Sequence, residues 1–72
     1  MVELRSAAPG IVRDLLVDEG TMVAEEDPIV EFEGPLGREV LAVIVPGVLR
    51  EWHVRPGDSV AAGELLALID ET

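Results

Sequence analysis

Apolar residues in this chain come in short runs cut by Pro, Gly, Asp and Glu, and no run is long enough, with a 3.6-residue period, to make a substantial helix. Strands are predicted near residues 2–6, 11–17, 22–23 and 28–33, with turns at Pro9-Gly10, Asp18-Glu19-Gly20 and Glu26-Asp27-Pro28. A second set is predicted near 38–44, 48–54, 59–60 and 65–70, turning at Pro46-Gly47, Pro56-Gly57-Asp58 and Gly63. The fold class is therefore expected to be all-β. In Ile29-Val30-Glu31-Phe32-Glu33, alternation puts the two carboxylates on one face and aims Val30 and Phe32 inward. Val17, Val54 and Ile69 join the expected core. Alternation slips at Arg13-Asp14 and at Arg50-Glu51, which predicts a β-bulge in each of those strands.

The two sets follow one plan. A shift of 37 positions superposes Pro9-Gly10 on Pro46-Gly47, Arg13 on Arg50, Val17 on Val54, Gly20 on Gly57 and Val23-Ala24 on Val60-Ala61. Apolar character matches further, pairing Ile11 with Val48, Val12 with Leu49, Leu15 with Trp52, Ile29 with Leu66 and Phe32 with Ile69. Each half is too small to bury a core alone. They are expected to interlock about a pseudo-twofold axis as one flattened barrel or sandwich over residues 1–72, with half-repeats at about 2–33 and 38–70 joined by a hairpin at 34–37.

Composition narrows the function. Fifteen acidic residues stand against five basic ones, all arginine, giving a formal charge of −10. Such a surface repels phosphate backbones and anionic lipids, so neither nucleic acid nor membrane is expected as a partner. It either attracts a basic protein or only keeps a small domain soluble. With no cysteine and a single histidine, His53, there is no thiolate nucleophile, no disulfide and no basis for a zinc site. The first residues lack a basic stretch followed by a long apolar run, and a cytoplasmic location is expected.

The segment Val54-Arg55-Pro56-Gly57-Asp58-Ser59-Val60-Ala61-Ala62-Gly63-Glu64-Leu65-Leu66 resembles the Gly-Asp-x-Val-x-x-Gly-x-x-Leu ending of biotinyl and lipoyl domains. Ala8-Pro9-Gly10-Ile11-Val12 is similar to the start of biotin carboxyl carriers, while Glu25-Glu26-Asp27-Pro28-Ile29-Val30-Glu31-Phe32-Glu33 is similar to lipoyl domains of 2-oxo acid dehydrogenases. Both ancestries stay open. The resemblance spans essentially the whole chain and implies a flattened barrel of eight strands, with a lysine at the tip of the hairpin joining the halves to receive biotin or lipoate. It also implies a protein partner in a carboxylase or acyl-transfer complex.

That lysine is expected three residues after the glutamate matching Glu33 and eleven before the glycine matching Gly47, and both counts land on Leu36. In place of Met-Lys-Met or Asp-Lys-Ala stands Pro35-Leu36-Gly37. Attachment is an amide to a lysine ε-amine, and leucine has no nucleophile. The sequence contains no lysine anywhere, so the α-amine of Met1 is its sole primary amine. The hydroxyls of Ser6, Thr21, Ser59 and Thr72 are not groups that ligases of this family acylate. The expected cofactor-binding position is thus not competent, and no cofactor is expected on the chain as it stands.

Gly34-Pro35-Leu36-Gly37 nevertheless encodes a good turn, with Pro supplying φ near −65° and Gly an αL position. Leu36 then reads either as an apolar anchor for a partner or as an ordinary exposed leucine. Glu31, Glu33 and Arg38 either set the charge of the tip or are simply solvated. Trp52 is expected to pack at the core or its rim. His53 has no Ser or Cys beside it in sequence, and Glu25-Glu26-Asp27 reads as a solvated acidic turn with no second ligand set. The expected function is a non-enzymatic interaction or structural module on a carrier fold. The alternative is a swinging-arm carrier inactivated by lysine replacement, natural or engineered.

Overall fold

The structure, a computed structural model, describes residues 1–71; Thr72 and its hydroxyl lie outside the described residues. Eight strands form among them: β1 Val2–Arg5, β2 Gly10–Leu15, β3 Met22–Val23, β4 Pro28–Gly34, β5 Gly37–Ala42, β6 Gly47–Trp52, β7 Ser59–Val60 and β8 Leu65–Glu71. The described residues contain no helix. Two four-stranded antiparallel sheets, ordered β1-β8-β6-β3 and β5-β4-β2-β7, make a flattened sandwich 32 Å long and 17 Å across. Strand ends lie within two residues of the positions the alternation predicts.

Each sheet is built from both halves of the chain. β7 of the second half pairs with β2 of the first through Gly10↔Val60 and Ile11↔Ser59, and β3 pairs with β6 through Val23↔Gly47 and Met22↔Val48. The connecting hydrogen bonds repeat with the same 37-residue offset. Gly20 N–H donates to Leu49 O at 2.7 Å, and Gly57 N–H donates to Val12 O at 2.7 Å. Glu26 N–H donates to Val43 O at 2.8 Å, as Gly63 N–H does to Ser6 O at 2.7 Å. Each half therefore supplies hydrogen-bond partners that the other cannot find within itself.

Two glycines allow close packing of neighbouring strands within each half. A Cβ on Gly10 would collide with the Glu33 carbonyl and the Phe32 ring, and one on Gly47 would collide with the Asp70 carbonyl. At both places one strand lies closer to its neighbour than any side chain allows.

Both predicted bulges are present. The β2–β4 register passes from Val12↔Phe32 to Asp14↔Glu31, skipping Arg13, and the β6–β8 register passes from Leu49↔Ile69 to Glu51↔Leu68, skipping Arg50. A second pair of bulges was not legible in the sequence, because the extra residues are apolar. β4 skips Ile29 against β5, and β8 skips Leu66 against β1. Ile29 and Val30 are both fully buried as a result, as are Leu66 and Ala67. Strict alternation fails there because each extra residue shifts the phase of the pleat.

The core is aliphatic apart from Phe32: Val12, Val23, Ile29, Val30, Leu49, Leu66 and Ile69 are all buried. Val54 is buried as expected, but its equivalent Val17 is only partly so. The chain has left β2 by Val17, which packs against the core from the rim and offers its carbonyl to the Trp52 indole N–H at 3.0 Å. Trp52 is the rim residue its position in the repeat predicts, and its polar edge is satisfied.

Two stability predictions follow from this packing. Phe32→Ala should cost about 3–5 kcal/mol in chemical denaturation, as large aromatic truncations in cores do; near-wild-type unfolding would contradict the inward placement. Glu26 has φ +71°, where its repeat equivalent is Gly63 at +85°. Glu26→Gly should raise the unfolding free energy by about 0.5–1 kcal/mol, the ~1–2 kcal/mol αL strain outweighing the added freedom of the unfolded chain. A decrease would contradict the strain assignment.

Candidate functional site

β4 and β5 pair out to Glu33↔Arg38 and Gly34↔Gly37, leaving Pro35 and Leu36 as a two-residue tip. Gly34 and Gly37 thus belong to the strands, and the loop is shorter than the predicted 34–37 span. Pro35 cannot adopt the positive φ that a primed turn needs, and Leu36 is not among the positive-φ residues, so type II is excluded as well. Gly37, at φ +109°, then takes the left-handed position that lets the strands resume pairing after an ordinary type I-like turn. Leu36 is held at the end of the ladder with 95% of its surface exposed.

The tip is buttressed from beneath. The Phe32 ring lies under Gly34, where an added Cβ would stand 3.2 Å from Cε1, and the same ring fills the space beside Gly10. Glu33 is not paired with its cross-strand neighbour Arg38. Its Oε1 accepts from Arg13 Nε at 2.8 Å and lies 2.7 Å from Arg13 Nη2, so a side chain from β2 braces the hairpin base. Arg38 instead reaches Glu31 Oε1 at 3.9 Å, a loose and largely solvated contact. Arg13 was missed as a site residue when the sequence was considered alone. A signal existed in the repeat, since Arg50 bonds Asp70 in the same way at 2.9 Å in the other half.

Chemically the tip is inert. It presents an alkyl side chain, two glycines and a proline, with no amine, hydroxyl or thiol. Other candidate chemistry is equally lacking among the described residues. An open depression of about 480 Å³ is walled by Leu15, Trp52, His53 and Arg55. The carboxylates at its edge already act as acceptors, Glu19 from the Trp52 N–H at 2.9 Å and Asp58 from the Arg55 N–H at 2.8 Å. His53 lies 3.5 Å from Glu51, with no serine or threonine hydroxyl bonded to it. No cluster of three or more potential metal ligands occurs among the described residues.

No family profile and no curated protein matches the chain. Solved structures do. A single-chain, multi-domain long-chain acyl-CoA carboxylase superposes with a TM-score of 0.90 at 25% identity over 99% of this chain. The urea carboxylase of Kluyveromyces lactis gives 0.89 at 25% identity over 96%. The lipoyl domain of the 2-oxoglutarate dehydrogenase complex from Azotobacter vinelandii gives 0.82 at 25% identity over 99%. The chain has the fold of biotinyl and lipoyl domains. It spans 7% and 6% of the two carboxylase chains but matches 98% of the lipoyl domain, so the shared unit is the carrier-type fold.

The contrast between an exposed tip and a tightly packed base can be measured. In this domain Leu36→Ala should change the unfolding free energy by less than about 0.5 kcal/mol, as substitutions at exposed positions without partners usually do. Gly10→Ala should cost about 1–3 kcal/mol, because its Cβ meets a backbone carbonyl and a buried ring. Equal effects from the two variants would contradict the buttressed-hairpin geometry.

Proposed function

We propose that this biotinyl/lipoyl-type domain is a non-catalytic interaction or structural module of a carboxylase or acyl-transfer assembly, and that Leu36 occupies the position where relatives of this fold attach biotin or lipoate. The observation that carries this reading is a leucine at the tip of an otherwise fully built hairpin. Pro35, Gly34 and Gly37 shape the turn, and Phe32 and the Arg13–Glu33 pair support it from below. Without an ε-amine at that place there is no group to acylate, so the domain carries no swinging arm and its work is to bind. Its net charge of −10 favours a basic protein surface as the partner.

The quality of the hairpin also favours a second reading, a carrier that lost its lysine by replacement, natural or engineered. Ligases of this class must grip the domain around the tip, and a recently replaced lysine would leave that grip intact.

Leu36→Lys separates the two. The purified variant is offered to a biotin ligase and to a lipoate ligase, with intact mass as the readout. A biotinyl or lipoyl increment on the new lysine would identify a carrier whose recognition surface survives, and would name its ancestry. No increment with either ligase, from a variant that folds as the parent does, is the outcome expected for a module specialised for binding.

A further inference from the structure

The internal repeat is a built-in control for surface residues, because each position has a twin on the same scaffold. The turns flanking β3 and β7 superpose residue by residue, with matching hydrogen bonds: Asp27 N–H donates to Ala24 O at 3.1 Å and Glu64 N–H to Ala61 O at 3.1 Å. Ala24 N–H donates to the Asp27 carboxylate at 2.8 Å, and Ala61 N–H donates to that of Glu64 at 3.1 Å. Differences between these two edges are not demanded by the fold.

Those differences fall together. Met22 is 73% exposed on β3, where its twin on β7 is Ser59. Ile44 is 75% exposed, where its twin is Ala7. The loop carrying Ile44 lies on the turn after β3, because Val43 N–H donates to Asp27 O at 3.1 Å and Val43 O accepts from Glu26 N–H at 2.8 Å. Beside Met22 is a shallow cleft of about 390 Å³ whose walls include Met22, Ala24, Asp27 and Pro46, and Ile44 lies two residues before Pro46, outside the lining. The segment 18–27 that carries the cleft's Met22, Ala24 and Asp27 holds five carboxylates and no cation, although Glu19 turns to the Trp52 depression, whereas residues 55–64 carry two carboxylates and an arginine. Among the described residues neither Glu25 nor Glu26 has an ion-pair partner, and their twins are Ala62 and Gly63.

We propose that the cleft lined by Met22 and Pro46, together with the exposed Ile44 two residues before Pro46, is a docking surface for a protein segment that presents apolar side chains flanked by lysine or arginine. Solvation of an acidic turn accounts for the carboxylates but not for two large apolar side chains placed beside them, on the one edge of the pair that has both. Apolar contact supplies the affinity, and the unpaired carboxylates select and orient a basic partner. A second copy of this chain is a poor occupant, since each carries the same −10 charge. The cleft opens beside the start of β4, and the hairpin tip follows its end. Pro28 and Gly34 are six residue steps apart, about 20 Å at ~3.3 Å per step, so docking here leaves the tip free. The inference does not depend on the fate of Leu36.

The test is a titration of the full chain, followed by amide NMR, with the synthetic peptide Lys-Arg-Leu-Lys-Ile-Lys-Arg. A control peptide has serine at both apolar positions. Shifts are expected at Met22, Ala24 and Ile44 and not in 55–64, with the apolar peptide binding more tightly than its control. Met22→Ser combined with Ile44→Ala installs the residues that the twin positions, Ser59 and Ala7, already use, so folding is preserved. It should weaken the apolar peptide about tenfold and leave the serine peptide unchanged. Equal binding of the two peptides, or shifts spread equally over both edges, would overturn the proposal. So would sedimentation showing that the peptide-free chain dimerises through this cleft, since the occupant would then be a second copy.

Discussion

The structure depends on a reciprocal exchange of backbone hydrogen bonds between two halves that are each too small to fold alone. β3 completes the edge of one sheet beside β6, and β7 completes the other beside β2. Neither short strand has a partner within its own half, and an isolated strand leaves donors and acceptors with only water to satisfy them. Gly10 and Gly47, which pair with the exchanged strands, also lie against β4 and β8 of their own halves too closely for a Cβ. The exchange also closes the core, because the inward faces of Val12, Val23, Leu49 and Val60 meet only when the halves interlock. With few residues to bury, an all-or-none arrangement of this kind makes the small core cooperative.

One consequence is a division of labour along the long axis. β4 and β5 are the pair that reaches beyond the exchanged strands, and their turn is exposed at the tip. Because Phe32 and the Arg13–Glu33 pair hold the base, that turn has little freedom to rearrange around whatever residue stands at its apex. The salt bridge is exposed and contributes at most ~1 kcal/mol, so the buried ring does most of the holding. A rigid support beneath a solvent-exposed apex suits a residue that must be handed to another protein. In the proposed reading, that support outlives the chemistry it once served.

A second consequence is that the scaffold tolerates divergence where the repeat does not need identity. Turn hydrogen bonds recur at the 37-residue offset, yet the side chains above them do not. Glu26 holds a left-handed conformation that its twin position gives to glycine, and it stands on the edge that also gathers Met22, Ile44 and the unpaired acids. Surface character there is free to follow function, since the backbone beneath is set by hydrogen bonds common to both halves.

Local pattern and counting determined the all-β class, the two-part plan, the strand limits to within two residues and the bulges at Arg13 and Arg50, and the resemblance to biotinyl and lipoyl domains placed Leu36 on a hairpin apex. These were legible because a polar residue breaking an apolar strand, a Pro-Gly turn and an internal repeat are all local signals. Tertiary structure decided the rest. The bulges at Ile29 and Leu66 were silent because an extra apolar residue in a buried strand leaves the apolar pattern unbroken. Arg13 was unrecognised at the hairpin base because its carboxylate partner is 20 residues away, on a strand whose register is fixed by pairing. Val17 met the rim and not the core because where a strand ends depends on what packs across it. Which sheet each short strand joins, and which exposed side chains come to share an edge, are set by contacts between residues distant in the chain, and no local window contains them.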